Sequence, residues 1–321
     1  MASNELRLDG KAIVVTGAGR GVGRSHALLL ASRGALVVVA DSGVAMDGSQ
    51  PSEGPAAEVA AEIKAAGGVA TICTDDLSTA AGSAAAVQAS IQAFGRVDGL
   101  LHNASIAPQL FDPAEVPDDR LDLMMRVNVY AAFWLTRAAW PHMKRQGGGR
   151  IAFTSAHAIY GTPGMSTYCA AKSAFLGMAR CLAADGKAHN ILTNVLVGGG
   201  RSRMVEQMPP SAYRDWMMAA MDPEHVSVGA AFLLSDACRA NGESYSISGG
   251  RIARITLSES EGLMGLETIE DVRDQIDIID AQQPWISPHD STERASIIHR
   301  AMGFDGALGN SAYDIQRTVT N

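Results

Sequence analysis

Ala12-Ile13-Val14-Val15-Thr16-Gly17-Ala18-Gly19-Arg20-Gly21-Val22-Gly23 runs from a wholly apolar β-type segment into four glycines at alternate positions, and the helical pattern Val22–Arg33 follows at once. A turn this tight needs glycine backbone freedom, and a pyrophosphate reaches the main chain only where no side chain intervenes. The helix behind it offers unpaired N–H groups and the positive end of its dipole. A glycine pattern alone is weak; a strand before it, a helix after it and an acid at the expected distance make it a dinucleotide loop. That acid is Asp41, at the end of Leu36–Ala40 and eighteen residues past Gly23. Its carboxylate suits ribose hydroxyls and repels a 2′-phosphate, so NAD is the expected cofactor. Arg20 pulls toward NADP, its plainer reading being a solvent-facing loop residue. Asp76, opening the loop after Val69–Cys73, is placed to accept from an adenine amino group, with its neighbour Asp75 as the competing choice.

Outward from the loop, short apolar runs alternate with helical patterns through the first 250 or so residues. The runs are Ala12–Thr16, Leu36–Ala40, Val69–Cys73, Gly99–His102, Ile151–Ser155, Ile191–Val197 and, more weakly, Ser244–Ser248. Several are apolar throughout, which a parallel strand covered on both faces requires. The helical segments are Val22–Arg33, Ala56–Ala66, Ala80–Phe94, Asp118–Arg145, Ser166–Lys187 and Pro223–Leu234. The expectation is an α/β domain over residues 1–252, a doubly wound parallel sheet of about seven strands. A C-terminal extension, 253–321, holds two plausible helices (Thr268–Ala281 and Thr292–Met302) and should pack on the core or at an oligomer interface. Ser42–Pro55, rich in Gly, Ser and Pro, reads as a solvated loop.

The chain has 321 residues, 47% of them hydrophobic, with 34 acidic and 26 basic side chains and a net charge of −8. An acidic balance without basic clusters argues against a nucleic-acid partner. No apolar stretch approaches the roughly 20 residues that cross a bilayer, and the charged start MASNELRLDGK does not resemble a secretion signal, so no membrane association and a cytoplasmic location are expected. The four cysteines (Cys73, Cys169, Cys181, Cys238) show no metal-ligand spacing and read as reduced thiols, Cys169 and Cys181 as core packing; no metal is expected.

Tyr168-Cys169-Ala170-Ala171-Lys172 places a phenol and an ammonium on one helical face. A free phenol, with a pKa of about 10, is a poor base at neutral pH. A cation about 5 Å away, at an effective dielectric near 20, should lower that by roughly two units. Tyr168 then becomes a proton acceptor for an alcohol or donor for a ketone. Ser155, ending strand Ile151–Ser155, faces the crevice at the carboxyl ends of the strands and is placed to hold a substrate oxygen. Asn128, inside a helix where Asn has no intrinsic advantage, is either a satisfied core amide or the holder of a water that relays protons to Lys172.

With these residues assembled, the chain resembles the short-chain dehydrogenase/reductase family. Thr16–Gly23 is similar to its TGxxxGxG, Tyr168 and Lys172 to its YxxxK, and Ser155 and Asn128 complete its tetrad. The resemblance, over residues 8 to about 250, implies a Rossmann-type fold and hydride transfer between nicotinamide and a carbinol carbon. It also implies homodimers or homotetramers, with Asn128, Ser155, Tyr168 and Lys172 as the catalytic residues. The cofactor contacts implied are Gly17, Gly19, Arg20, Gly21, Val22, Gly23, Asp41, Asp76, Leu77, Asn103, Ala104, Tyr168, Lys172, Val197 and Ser202. Two departures stand out. His102-Asn103-Ala104-Ser105 replaces the family's NNAG. Asn194-Val195-Leu196-Val197-Gly198-Gly199-Gly200 carries Gly198 where a proline is usual, which should loosen a loop beside the nicotinamide.

A narrower resemblance is to the (3R)-hydroxyacyl-CoA and hydroxysteroid dehydrogenase branch found in multifunctional enzymes of peroxisomal β-oxidation. It rests on Val37–Gly43, Thr136–Lys144, Ile159–Gly161, Ser202–Met204 and the tail. The chain would then lack that enzyme's hydratase and sterol-carrier parts and, ending Thr318-Val319-Thr320-Asn321, a peroxisomal tripeptide. On the substrate side, Met204–Met221 holds five of the 14 methionines plus Trp216. It reads as an adaptable apolar lid or as a helix packed on the core; His157 and Tyr160 are candidate pocket residues. The leading expectation is an NAD-dependent dehydrogenase acting on a small molecule, a secondary alcohol on a bulky apolar body. Its rivals are a 3-hydroxyacyl-CoA or hydroxysteroid dehydrogenase specifically, and a dinucleotide-binding regulator without turnover.

Overall fold

Residues that alternate along the central apolar runs divide between two cores, so those runs become strands buried on both faces, whereas Val69 and Ile72 of the Val69–Cys73 run stay exposed. The computed structural model describes residues 5–45, 48–106, 109–201, 203–206 and 208–302. Its strands are β1 (Ala12–Thr16), β2 (Leu36–Ala40), β3 (Val69–Cys73), β4 (Gly99–His102), β5 (Gly149–Ala156), β6 (Ile191–Gly199), β7 (Ser244–Ser248) and β8 (Arg251–Ile255). Ile13, Val15, Val37 and Val39 point into one core; Val14, Val38, Leu100, Ile151 and Phe153 point into the other. Burying both sides of a strand removes roughly 1.5–3 kcal/mol worth of water contact per large aliphatic residue.

The sheet order is β3-β2-β1-β4-β5-β6-β7-β8. The strands β1 to β7 pair in parallel, and β8 pairs antiparallel to β7. The fold is therefore α/β and doubly wound, with the seven expected strands and an eighth that the apolar pattern did not announce. Its signal is Gly249-Gly250, both at positive φ, the two-residue hairpin that joins β7 to β8. The order in which strands are added switches sides between β1 and β4, the point beyond whose carboxyl ends open α/β sheets bind their ligands.

The helices are α1 (Gly21–Ser32), α2 (Gly54–Ala65), α3 (Ala80–Phe94), α4 (Asp118–Met125), α5 (Ala131–Gln146), α6 (Ser166–Gly186), α7 (Arg203–Glu206), α8 (Ala212–Ala220), α9 (Pro223–Leu233), α10 (Ile269–Asp280) and α11 (Ser291–Ala301). Where one helix was expected over Asp118–Arg145, a π-helical turn, Arg126–Tyr130, separates α4 from α5 and carries Asn128. Periodicity cannot reveal one extra residue in a turn. Such widened turns often sit at functional sites. Cys181, expected in the core, is exposed, because α6 buries Met178, Ala179 and Ala183 and turns position 181 outward.

Gly198 does not loosen its segment. β6 runs on through Gly198 and Gly199, paired with Ala156 of β5 and with Ile247 and Ser248 of β7. A glycine keeps the N–H that a proline lacks, so the ladder continues where the family chain would break. A side chain at Gly198 would also press on Val226, whose Cγ1 lies 2.9 Å from the ideal Cβ position. Gly198→Pro, although it restores the usual family residue, is expected to destabilise the protein by about 3 kcal/mol or more in urea unfolding. An unchanged midpoint would contradict this ladder.

The chain divides into two compact units, Met1–Ile255 and Thr256–Asn321. In the second, α10 begins with a capping box formed by Thr268 and Asp271, and Gln282 bonds both main-chain groups of Gly262. Among its described residues Ala295 alone is buried, while Ile269, Val272, Ile276 and Ile278 of α10 are exposed.

Candidate active site

The loop between β1 and α1 is shaped by what its glycines exclude. Gly17 has φ +65°, and a Cβ there would lie 2.8 Å from Ala104 Cα. At Gly23 a Cβ would strike the Gly17 carbonyl oxygen, and at Gly19 it would strike Asp41 and Pro55. No side chain caps α1, and its first turn carries no acid, so its N–H groups stay available to a phosphate. This is a cradle that fits a pyrophosphate.

Asp41 closes the cradle: its two carboxylate oxygens accept from Gly19 N and Gly43 N, each at 2.7 Å. Each oxygen keeps a lone pair for a ribose hydroxyl. Arg20 is not solvent-facing; its guanidinium donates to the Gly43 and Val44 carbonyls at 3.3 and 3.0 Å. It pins the loop after β2 and is already engaged there. Asp76 accepts from Ser78 N and Ser78 Oγ (2.8 and 2.7 Å), a turn that leads into α3, while Asp75 accepts from the Cys73 thiol. Leu77 is buried beneath that turn. Asn103 ties β4 to the loop, donating from Nδ2 to the Thr16 and Gly17 carbonyls, and the Ala104 N–H donates to Thr16 Oγ1. Val22 is half-buried against the core and Val197 fully buried in β6. Ser202 lies outside the described residues.

The tetrad gathers around the start of α6. Tyr168, Lys172, Ser155 and Asn128 are all buried. Lys172 Nζ lies 5.6 Å from the Tyr168 ring centroid and 5.4 Å from that of Phe175, and donates to the Thr154 carbonyl at 3.0 Å. Ser155 Oγ donates to the Lys172 carbonyl at 2.8 Å, so holding a substrate oxygen exchanges this bond for another. Asn128 donates from Nδ2 to the Met124 carbonyl at 2.9 Å, while its Oδ1 is buried with no partner among the described residues.

The electrostatics differ from the expectation in direction. Burial pushes the Tyr168 phenol up to about 12, not down, and pushes the Lys172 ammonium down to about 7. Desolvation disfavours the charged form of each, and it outweighs their mutual attraction while both are enclosed by protein alone. An amine near 7 holds only part of its charge at neutral pH, which weakens the pull assumed from a full cation. Bringing a positive charge to this buried pair would favour the phenolate.

Around this centre, His157 Nε2 lies 3.2 Å from Ser246 Oγ, and its ring fills the space that a side chain at Gly199 would need. Tyr160 is exposed. Within the methionine-rich segment Val205 of α7 is buried, but α8 has no buried residue, and Tyr213 and Trp216 stack on each other in the open, centroids 6.0 Å apart. Thr154 had no motif to announce it, and Thr16 and His102, although they stand within the two quoted motifs, had no role assigned from sequence. Only the tertiary fold brings their polar atoms to the centre.

The chain's residues 11–210 match the family model for short chain dehydrogenases. It is 37% identical over 261 residues to peroxisomal multifunctional enzyme type 2 of Mus musculus, covering 81% of this chain and 34% of that protein. The chain thus spans about a third of the mouse protein's length. A short-chain type dehydrogenase/reductase of Mycobacterium tuberculosis is 35% identical over 78% of this chain and 87% of its own. Among solved structures, a 7α-hydroxysteroid dehydrogenase complexed with NADH and 7-oxo glycochenodeoxycholic acid superposes with a TM-score of 0.69 at 28% identity, over 78% of this chain and 97% of that one. The chain is a member of the short-chain dehydrogenase/reductase family of oxidoreductases.

Proposed function

We propose that this protein is an NAD-dependent dehydrogenase that interconverts a secondary alcohol and its ketone on a bulky apolar substrate. The observation that carries the reading is the buried Tyr168–Lys172 pair, one helical turn apart, beside the Ser155 hydroxyl at the carboxyl end of β5. Gly17, Gly19, Gly21 and Gly23 would receive the pyrophosphate, and Asp41 the adenosine ribose. The dinucleotide, when bound, supplies the hydride acceptor and a positive ring. Tyr168 takes the proton from the alcohol oxygen, Ser155 holds that oxygen, Lys172 stabilises the phenolate, and Asn128 holds a water through which Lys172 exchanges protons with solvent. Exposed apolar groups on α8, Tyr213 and Trp216 among them, suit a lid over an acyl chain or a steroid. The relatives point the same way: one is a hydroxysteroid dehydrogenase bound to NADH and an oxo-steroid acid.

The test is NAD reduction against steroid alcohols, aromatic carbinols and 3-hydroxyacyl-CoA esters. Turnover of one class well above the others is expected. Tight NADH binding without oxidation or reduction across the whole panel would reject the reading in favour of a regulator. Asp41→Ala should lower the preference for NAD over NADP, as a ratio of kcat/KM values, by about 10- to 100-fold, since a charged hydrogen-bond partner and a repulsive charge disappear together. An unchanged ratio would place the ribose elsewhere.

A further inference from the structure

His102 ends β4 and has no part in the acid–base step, yet it is only 1% exposed and both its ring nitrogens are engaged. Nδ1 lies 2.9 Å from Thr16 Oγ1, and Nε2 lies 2.9 Å from the Asn128 main-chain oxygen. The donors available decide the direction of each bond. Thr16 Oγ1 already accepts from the N–H groups of Asn103 and Ala104, at 3.0 and 3.1 Å, and so directs its single hydrogen at Nδ1. A carbonyl only accepts, so Nε2 carries the ring proton. The imidazole is therefore fixed as one neutral tautomer, and burial together with the nearby Lys172 charge keeps it unprotonated. Its far end grips the π-helical turn at Asn128, the residue whose amide oxygen is buried without a partner among the described residues. A buried acceptor left in that state is costly unless a water satisfies it. The same imidazole packs edge-on against Phe175, on whose ring Lys172 Nζ also rests.

We propose that His102 is a positioning residue for proton transfer: its Nε2–H holds the Asn128 carbonyl and so aims Asn128 Oδ1 at the water that serves Lys172. The proposal rests on the dehydrogenase reading. It makes Thr16, His102 and Asn128 one directed chain from the glycine loop to the relay. Asparagine, the family's usual residue in this place, can supply a donor but cannot also accept at the reach of an imidazole Nδ1.

The test has two arms on the full chain. In the first, 15N-histidine NMR of the wild type between pH 6 and 8 should show a neutral Nε2–H imidazole with a slowly exchanging ring proton, absent from His102→Leu. An Nδ1–H tautomer or a charged ring would overturn the proposal whether or not the variant folds. In the second, alcohol oxidation is followed for wild type, His102→Leu and His102→Asn, each checked for folding and NADH binding. His102→Leu should lose about 10- to 100-fold in kcat, with KM for the alcohol within about threefold and a larger solvent deuterium isotope effect. His102→Asn should recover most of the rate and the smaller isotope effect. A folded His102→Leu with wild-type rate and isotope effect, or with a lower rate and an unchanged isotope effect, would overturn the positioning role alone. A wild type that binds NADH but oxidises nothing would bring down the dehydrogenase reading and this role with it.

Discussion

Tyr168→Phe is expected to lower kcat by about a thousandfold while NADH affinity, read by fluorescence titration, stays within about threefold. The reason is geometric. The Tyr168 hydroxyl is the group proposed to pass a proton to a substrate oxygen, and phenylalanine keeps the ring that packs among Met124, Val129 and Ala171. Fold and dinucleotide cradle should therefore survive while the proton has no acceptor. The direction of the pKa shifts adds a second signature. With the phenol held up near 12 and the amine down near 7, the protein alone favours the neutral pair. The wild-type rate of alcohol oxidation should then rise with pH along a limb that belongs to the pair and disappear in Tyr168→Phe. Residual turnover within a few-fold of wild type would remove Tyr168 from the mechanism.

Acid should unfold this protein well above the range where carboxylates titrate. His26 and His102 are buried as neutral rings, each pushed down to about 3 from an ordinary 6.5, His26 by burial alone and His102 by burial and Lys172. Below pH 6.5 the unfolded chain binds protons at these rings and the native state does not, so stability is full above that value and lost as pH falls toward 3. The slope is about 1.4 kcal/mol per pH unit for each ring, and the two together remove about 4 kcal/mol between pH 6.5 and 5. The carboxylates with lowered values, Asp9, Asp236 and Asp271, titrate in the unfolded chain near 3.8 and act only at lower pH. Urea midpoints from pH 7.5 to 5 would show the slope, and His26→Leu should roughly halve it. A midpoint constant across that range would mean that these rings take up protons in place.

Most of the sheet was legible because a strand buried on two faces is apolar along its length: β2 is so throughout, and β1 and β4 are so up to the polar residue, Thr16 or His102, that ends each. The edge strand β8, Arg-Ile-Ala-Arg-Ile, was not, since an edge needs no such run; the Gly249-Gly250 hairpin was the readable clue. The tetrad was legible as spacing, because i and i+4 face each other on any helix. Its electrostatics were not, because burial is a property of the whole fold and it reverses the shift that the Tyr168–Lys172 distance alone suggests. The π-helical turn and the role of Arg20 as a loop clamp also escaped, each depending on residues remote in sequence. Gly198 was visible as a departure, but its effect was misjudged: a missing proline reads as looseness only until the neighbouring strands are known.

That extended β6 has an evolutionary reach. Because β6 stays in the ladder through Gly199, the segment that follows, up to Met221, leaves the sheet only where the framework ends, and it is expected to be exchangeable as a cassette. Grafting it from a relative with another preference should transfer selectivity and leave the hydride-transfer machinery in register.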